Sequence, residues 1–263
     1  MIDTHVHYDD EAFDSDRESL LASLAEAGVG RVIDIASSAE SLDKVMELTR
    51  RCPFVYGALG LHPDSAGELT DEALHKIEEG LCDPKIVAVG EIGLDYYWNK
   101  EAKELQIDVF RRQIETALRC GKPIAIHSRE AAEDTLKVLM DYYGRGGPGE
   151  KLERKGVMHC YSYSPELAEI YTRKLGFFLG IGGVVTFKNA KKLVETVKRI
   201  PLSFLLLETD CPYLAPVPFR GKRNSSLHLH LAAEKIAEIK GISAEEVMRA
   251  TEENAKKLFW PEK

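Results

Sequence analysis

The chain has 263 residues, 44% hydrophobic and 30% charged, and its formal net charge is −8 at pH 7. This composition is typical of a folded globular protein and excludes a disordered chain, and the length suits one α/β-barrel domain. The negative charge argues against high-affinity, non-specific binding of nucleic acid. A polyanionic substrate would need a local positive site, made of metal ions or of clustered Arg and Lys.

Five cysteines are present, no CxxC motif occurs, and no signal peptide precedes the first apolar segment. The odd count and the missing leader favour reduced thiols, so we expect a cytoplasmic protein. No apolar run is long enough for a membrane helix, so no membrane partner is expected. We expect the chain to be a monomer.

Short apolar, β-branched runs alternate with longer amphipathic runs along the chain. These runs predict strands at 1–5, 31–36, 55–61, 86–92, 123–127, 156–160, 177–182 and 204–208. The helices predicted to follow them are 16–27, 39–50, 71–80, 100–120, 130–143, 165–174, 189–199 and 226–240, with a further helix at 243–258.

Eight β/α units in this length predict an α/β fold of the (β/α)8 TIM-barrel class, in a single domain over residues 1–263. The alternative is a doubly wound open sheet, which usually has fewer strands and a nucleotide-binding GxGxxG motif. That motif is absent, because the nearest segment, Gly180-Ile181-Gly182-Gly183, lacks the third glycine and a following helical pattern.

Four of the eight histidines stand at the C-terminal ends of predicted strands, where barrel enzymes place their active sites. His5 and His7 are two residues apart, so on a strand both imidazoles project from one face and could converge on one metal ion. Such a pair alone is weak evidence and is more typical of two surface histidines. At a buried strand end, however, metal ligation compensates for the loss of hydration.

Glu91 ends the apolar strand predicted at 86–92, where an acid is rarely buried without a partner. A metal ion would neutralise it, although a capping or salt-bridged carboxylate is the alternative interpretation. Asp95 is the competing acid, and we place it in the loop that follows. Asp210 closes the segment Leu205-Leu206-Leu207-Glu208-Thr209-Asp210 on the last strand, with Glu208 two residues earlier on the same face.

His127 and His159 each close a short apolar run in successive β/α units. Either one alone is more often a hydrogen-bonded core histidine. The whole set, four histidines and two carboxylates from five strands, is too large for one tetrahedral zinc ion. It fits two divalent ions that share a bridging carboxylate, which suits the hydrolysis of phosphate esters or amides.

Five segments together resemble the TatD-type family of metal-dependent deoxyribonucleases, and the resemblance spans nearly the whole chain. The segments are Asp3-Thr4-His5-Val6-His7, Gly90-Glu91-Ile92-Gly93-Leu94-Asp95-Tyr96, Ile126-His127-Ser128-Arg129, His159-Cys160-Tyr161-Ser162 and Glu208-Thr209-Asp210-Cys211-Pro212-Tyr213-Leu214. The chain departs from the usual pattern at Cys211, at Tyr161 and at Ser225-Ser226, where the family commonly has Ser, Phe and a proline.

The resemblance implies a distorted TIM barrel of the amidohydrolase superfamily with two divalent metal ions, Mg²⁺, Mn²⁺ or Zn²⁺, per subunit. It implies that one ion is held by His5, His7, Glu91 and Asp210. The second ion is then held by Glu91, His127 and His159. His62 matches a family position near the substrate phosphate.

Cationic side chains near the predicted ligands could contact a phosphate chain. Arg129 follows His127 by two residues, and its planar fork suits phosphate. The loop from Arg220 to Asn224 carries three cations, although a solvated loop is the alternative interpretation. We therefore expect His62, Arg129, Arg220 and Asn224 to bind substrate.

The predicted function is hydrolysis of phosphodiester bonds by a metal-activated water, with Asp210 and Glu91 as the catalytic carboxylates. The resemblance implies 3′–5′ exonuclease activity on a DNA partner, either single-stranded or damaged. One alternative is an amidohydrolase acting on a cyclic amide or lactone, which usually has a carboxylated lysine where this chain has Glu91. The other alternative is a binding or scaffold protein with a residual metal site.

Overall fold

Eight parallel strands run in sequence order in the computed structural model, which describes residues 1–261. They are β1 (Ile2–Val6), β2 (Arg31–Ile35), β3 (Val55–Leu59), β4 (Ile86–Asp95), β5 (Ile124–Arg129), β6 (Gly156–Met158), β7 (Phe178–Ile181) and β8 (Leu205–Leu207). One sheet contains all eight strands, so the predicted (β/α)8 class is confirmed. The domain predicted over 1–263 includes residues 262 and 263, which lie outside the described residues.

Helices follow the strands in the order predicted. They are α1 (Arg17–Ser23), α2 (Ala39–Arg51), α3 (Asp71–Gly80), α4 (Lys103–Cys120), α5 (Ala132–Tyr143), α6 (Pro165–Glu169), α7 (Lys191–Arg199), α8 (Leu229–Lys240) and α9 (Ala244–Phe259). Side-chain caps fix several of the starts: Ser38, Thr70 and Ser243 each accept a hydrogen bond from the third residue beyond them.

The chain divides into two compact units. Unit 1 comprises residues 1–34, 160–172 and the chain from residue 178 onward, and unit 2 comprises residues 35–159 and 173–177. In unit 1, β1 pairs with β2 and β7 with β8. Four residues beyond β8, the carbonyl of Cys211 accepts a 2.8 Å hydrogen bond from the backbone amide of His7, so the segment that follows β8 lies beside the end of β1.

In unit 2 the strands β3 to β6 pair consecutively, and all ten residues of β4 are buried. Gly93 of β4 lies opposite His127 of β5 and has a φ of +145°. A Cβ atom at Gly93 would lie 1.9 Å from the carbonyl oxygen of His127. Glycine is therefore required for the close approach of the two strands that carry predicted ligands.

Strand ends differ from the prediction in ways that matter for the site. Strand β4 continues to Asp95, so the prediction that this acid lies in a loop is wrong. Strand β6 ends before His159, and β8 ends before Glu208. None of the helices in residues 1–261 is long and apolar enough to cross a membrane.

Candidate metal centre

Unit 1 brings together three of the predicted ligands, His5, His7 and Asp210. Asp210 Oδ1 lies 3.5 Å from His7 Nε2 and 3.9 Å from His5 Nε2. One nitrogen or oxygen atom from each of the three side chains lies within 4.8 Å of the others. Both histidines are buried, whereas the Asp210 side chain is 16% exposed. We call these three residues the first cluster.

Local backbone geometry directs the first cluster. His5 and His7 lie two residues apart at the end of β1, which places both rings on one face, with centroids 5.1 Å apart. Asp210 has a φ of +58°, in the left-handed region that Asp tolerates better than most residues. Its backbone amide donates a 2.9 Å hydrogen bond to the carbonyl of His5. The turn after β8 is thereby fixed against β1, which carries His5 and is directly followed by His7.

Asp3 stabilises this arrangement through hydrogen bonds. The sequence did not indicate this role. The fully buried Asp3 carboxylate accepts hydrogen bonds from the backbone amide and the hydroxyl of Thr209, at 2.9 and 2.7 Å, and from the Ser226 hydroxyl, at 2.6 Å. Burial raises the pKa of Asp3 to about 7, while the bonds from Ser226 and Thr209 act in the opposite direction. Asp3 therefore joins β1 to the residue that precedes Asp210.

Glu208 and Cys211 flank the first cluster. The Glu208 carboxylate accepts a 2.6 Å hydrogen bond from the backbone amide of Cys160. The carboxylate lies against Gly180, where a Cβ atom would overlap it. Burial raises the pKa of the Cys211 thiol well above its usual range. Because the thiolate is the reactive form of cysteine, this environment argues against Cys211 as a nucleophile.

Unit 2 brings together Glu91, His127 and His159, which we call the second cluster. Glu91 Oε1 lies 2.9 Å from His127 Nδ1 and 3.6 Å from His159 Nε2. The two imidazole rings are nearly parallel, at 30°, with centroids 6.4 Å apart. Glu91 lies within β4, His127 lies within β5, and His159 directly follows β6, so three successive strands supply one donor each.

Asp95 orients His127 of the second cluster. Its Oδ2 lies 2.9 Å from His127 Nε2, on the side of the ring opposite Glu91. Burial lowers the pKa of His127, but its hydrogen bonds with Asp95 and Glu91 outweigh this and raise it to about 9. A carboxylate on the outer nitrogen of a ligating histidine is a common support in metal sites, because it fixes the tautomer and the ring orientation.

His62 lies beside the second cluster, with its ring centroid 4.4 Å from that of His127 in an edge-to-face arrangement. One donor atom from each of His62, Asp95 and His127 lies within 4.8 Å of the other two. The backbone amide of Asp64 donates a 3.1 Å hydrogen bond to His62 Nδ1. Phosphate contact by His62 stays a prediction.

The other predicted substrate-binding residues have different surroundings. The Arg129 guanidinium lies 3.8 Å from the ring centroid of Tyr97, and that of Arg220 lies 4.4 Å from the centroid of Phe187. Asn224 is fully buried, and its amide nitrogen donates to the carbonyls of Thr209 and Tyr213. Asn224 thus holds the turn around Asp210, and its predicted contact with substrate is untested.

The donor chemistry of both clusters fits divalent metal ions. Each cluster supplies two imidazoles and one carboxylate, the nitrogen and oxygen ligands that zinc and related ions accept. Three protein ligands leave coordination positions for water or substrate, as catalytic sites require. Within residues 1–261, three of the four residues suggested for the first ion and all three suggested for the second lie together as donor sets, and Glu91 as a ligand of the first ion stays a prediction.

Comparison with known proteins agrees with this chemistry. The family model described as TatD related DNase matches residues 2–260. The chain is 42% identical to the uncharacterized metal-dependent hydrolase YabD of Bacillus subtilis, over 98% of each chain. It is 36% identical to the uncharacterized metal-dependent hydrolase TatD of Mycobacterium tuberculosis, over 98% of this chain and 97% of that protein.

A crystal structure extends the likeness to three dimensions. YjjV, a TatD homolog from Escherichia coli K12, is 33% identical and superimposes with a TM-score of 0.90, over 100% of this chain and 98% of that one. The family match and these identities cover nearly the whole sequence. The chain therefore belongs to the TatD-related DNase family of metal-dependent hydrolases.

Proposed function

We propose that this hydrolase cleaves phosphodiester bonds and removes nucleotides from the 3′ ends of single-stranded or damaged DNA. The observation that carries the proposal is the second cluster with Arg129 two residues beyond His127 on the same strand. A metal-binding cluster beside a guanidinium suits a substrate whose reacting centre is an anionic phosphate. Family membership supports the same substrate class.

Each cluster is proposed to bind one divalent ion, through His5, His7 and Asp210 in unit 1 and through Glu91, His127 and His159 in unit 2. When bound, such ions supply Lewis acidity and make water a better nucleophile near neutral pH. The proposal that Glu91 ligates both ions rests on the family resemblance. Asp95 supports His127 in the orientation described above.

We propose that side chains of the protein accept the proton of the attacking water and bind the negative charge of the substrate. Asp210 is the more exposed of the two catalytic carboxylates, with 16% of its side chain accessible against 4% for Glu91. It is therefore the better placed to accept a proton from the attacking water. Arg129 is proposed to bind a phosphate oxygen, which it can do with two parallel N–H donors.

The alternative amidohydrolase activity uses the same kind of centre, so the substrate must be tested directly. A 5′-labelled single-stranded oligonucleotide, a phosphodiester dye and dihydroorotate are each incubated with the protein and Mg²⁺, Mn²⁺ or Zn²⁺. We expect a ladder of oligonucleotides shortened from the 3′ end and no opening of dihydroorotate. Turnover of dihydroorotate with an intact oligonucleotide would replace the proposal by the amidohydrolase alternative.

A further inference from the structure

Two large aromatic side chains lie exposed next to each other directly after β4. Tyr97 is 49% exposed and Trp98 is 66% exposed. Their rings meet edge to face, at 86°, with centroids 4.7 Å apart. Exposed aromatic surface at a strand end that also carries predicted ligands is typical of a binding surface rather than of a core.

Arg129, at the end of β5, lies against the same aromatic pair. Its guanidinium is 3.8 Å from the centroid of Tyr97 and 5.5 Å from that of Trp98. A cation–π contact uses the face of a guanidinium and leaves its N–H donors free at the edge. Arg129 is exposed, and none of the ion pairs described within residues 1–261 involves it, so the edge of its guanidinium can reach an anion.

The segment that carries the aromatic pair is held in place by buried polar residues. Asp95 Oδ1 accepts hydrogen bonds from the backbone amides of Tyr97 and Trp98, at 2.8 and 3.2 Å. The buried side chain of Gln106 accepts from the amide of Asp95 and donates to the carbonyls of Asp95 and Asn99. A surface fixed in advance loses little conformational entropy when it binds a ligand.

Asp95 also connects this surface to the second cluster, because its other oxygen lies 2.9 Å from His127 Nε2. Strand β5 carries both His127 and Arg129, two residues apart and thus on one face. The aromatic pair and the guanidinium are therefore fixed relative to the predicted ligands of unit 2.

We propose that Tyr97, Trp98 and Arg129 form a binding surface for one unpaired nucleotide of single-stranded DNA. The base stacks on the exposed face of Trp98, and the adjoining phosphate accepts hydrogen bonds from the edge of Arg129. Tyr97 supports both groups. This proposal rests on the proposed function and names the residues that would bind an unpaired base, since paired bases within a helix offer no free face.

Kinetics on single-stranded oligonucleotides test the stacking contact. We expect Trp98→Ala to raise KM about 10-fold with little change in kcat, because stacking of one base contributes on that scale. Trp98→Phe should retain most of the affinity. A series of substrates carries one abasic nucleotide, placed in turn at each position near the 3′ end. At one of these positions the KM of the wild type should equal that of Trp98→Ala, because the base that stacks on Trp98 is missing. Met140→Ala, an exposed apolar residue of α5, is the control and should leave KM unchanged.

Fluorescence provides a readout that needs no turnover. The chain has two tryptophans, so Trp260→Phe leaves Trp98 as the sole tryptophan, whose emission is excited selectively at wavelengths that tyrosine does not absorb. In excess chelator, oligothymidine should quench this emission with saturation, and the abasic oligomer should not. Duplex DNA of the same length should quench it less.

The outcomes separate this inference from the proposed function. If the wild type degrades single-stranded DNA while Trp98→Ala has an unchanged KM and oligothymidine causes no quenching, the stacking surface is refuted and the function stands. If oligothymidine quenches Trp98 but no metal supports cleavage, the surface stands and the proposed reaction fails. Trp98→Ala must also bind as much metal as the wild type. A lower metal content would mean that Trp98 acts through the second cluster and not by contacting the base.

Discussion

Two acids that look alike in the sequence have different surroundings in the fold. Glu91 is buried within β4 and contacts two histidines of the second cluster, whereas Asp210 has a left-handed backbone conformation and a partly exposed side chain. The first environment suits a ligand that is shielded from water. The second suits a group that exchanges a proton with water.

These environments predict different results for the two amide substitutions. Asp210→Asn keeps one oxygen ligand but loses the proton acceptor, so it should retain most of its metal and lose about 10²-fold or more in kcat. Glu91→Gln removes the carboxylate shared by His127 and His159, and should lower metal content. Metal stoichiometry and kcat are measured on the same preparations. Near wild-type turnover by Asp210→Asn would show that the proton goes elsewhere.

The two arginines that are predicted to bind substrate, Arg129 and Arg220, should affect substrate binding rather than metal binding. Guanidinium groups do not ligate cations. We expect Arg129→Ala and Arg220→Ala to raise KM for an oligonucleotide several-fold while metal content stays at the wild-type value. Elemental analysis beside steady-state kinetics checks both variants. A loss of metal from either variant would place that arginine in the support of a cluster.

At the scale of elements, the pairing of β4 with β5 decides where the second cluster forms. Gly93 allows the two strands to approach until a Cβ atom would overlap the carbonyl of His127. Gly93→Ala should therefore destabilise the protein by about 2 kcal/mol or more, on the scale of an overpacked core, and weaken metal binding by moving His127. Urea unfolding and metal titration measure the two effects.

A second glycine serves as the control for that experiment. Gly67 lies in a short 3-10 segment, and a Cβ there would have no neighbour within 4 Å. Gly67→Ala should stay within about 0.5 kcal/mol of the wild type, as surface substitutions usually do. Equal stability of both variants would mean that the β4–β5 approach is more adaptable than described.

The same strands show which features could be predicted from the sequence. Hydrophobic alternation predicted eight β/α units, and strand-end positions indicated His5, His127 and His159. The extension of β4 to Asp95 was missed, because two glycines interrupt its apolar run, and their role depends on a neighbouring strand. Asp3 was missed for a related reason: its partner Thr209 lies 206 residues away, and a sequence pattern does not show such a contact.

At the scale of the whole molecule, metal ions should stabilise the folded chain. A ligand that binds only the folded state at 100 times its Kd adds about 2.7 kcal/mol, which corresponds to roughly 5–10 °C in Tm for a protein of this size. We expect saturating Mn²⁺ or Zn²⁺ to raise the Tm of the chelated protein by that amount for each of the two clusters that is occupied. In His5→Gln/His7→Gln the rise should be smaller, because one cluster has lost two donors. The same rise in both proteins would mean that the first cluster binds no ion.

The central claim is that ions bound by the two clusters carry phosphodiester hydrolysis, and a reconstitution titration tests it most directly. Chelated, desalted protein is mixed with increasing equivalents of Mn²⁺, and the rate of shortening of a 5′-labelled single-stranded oligonucleotide is measured at each step. The account predicts no hydrolysis without metal and a rate that reaches its plateau near two equivalents, one for each cluster. Hydrolysis that does not depend on added metal, or no hydrolysis at any loading, would contradict it.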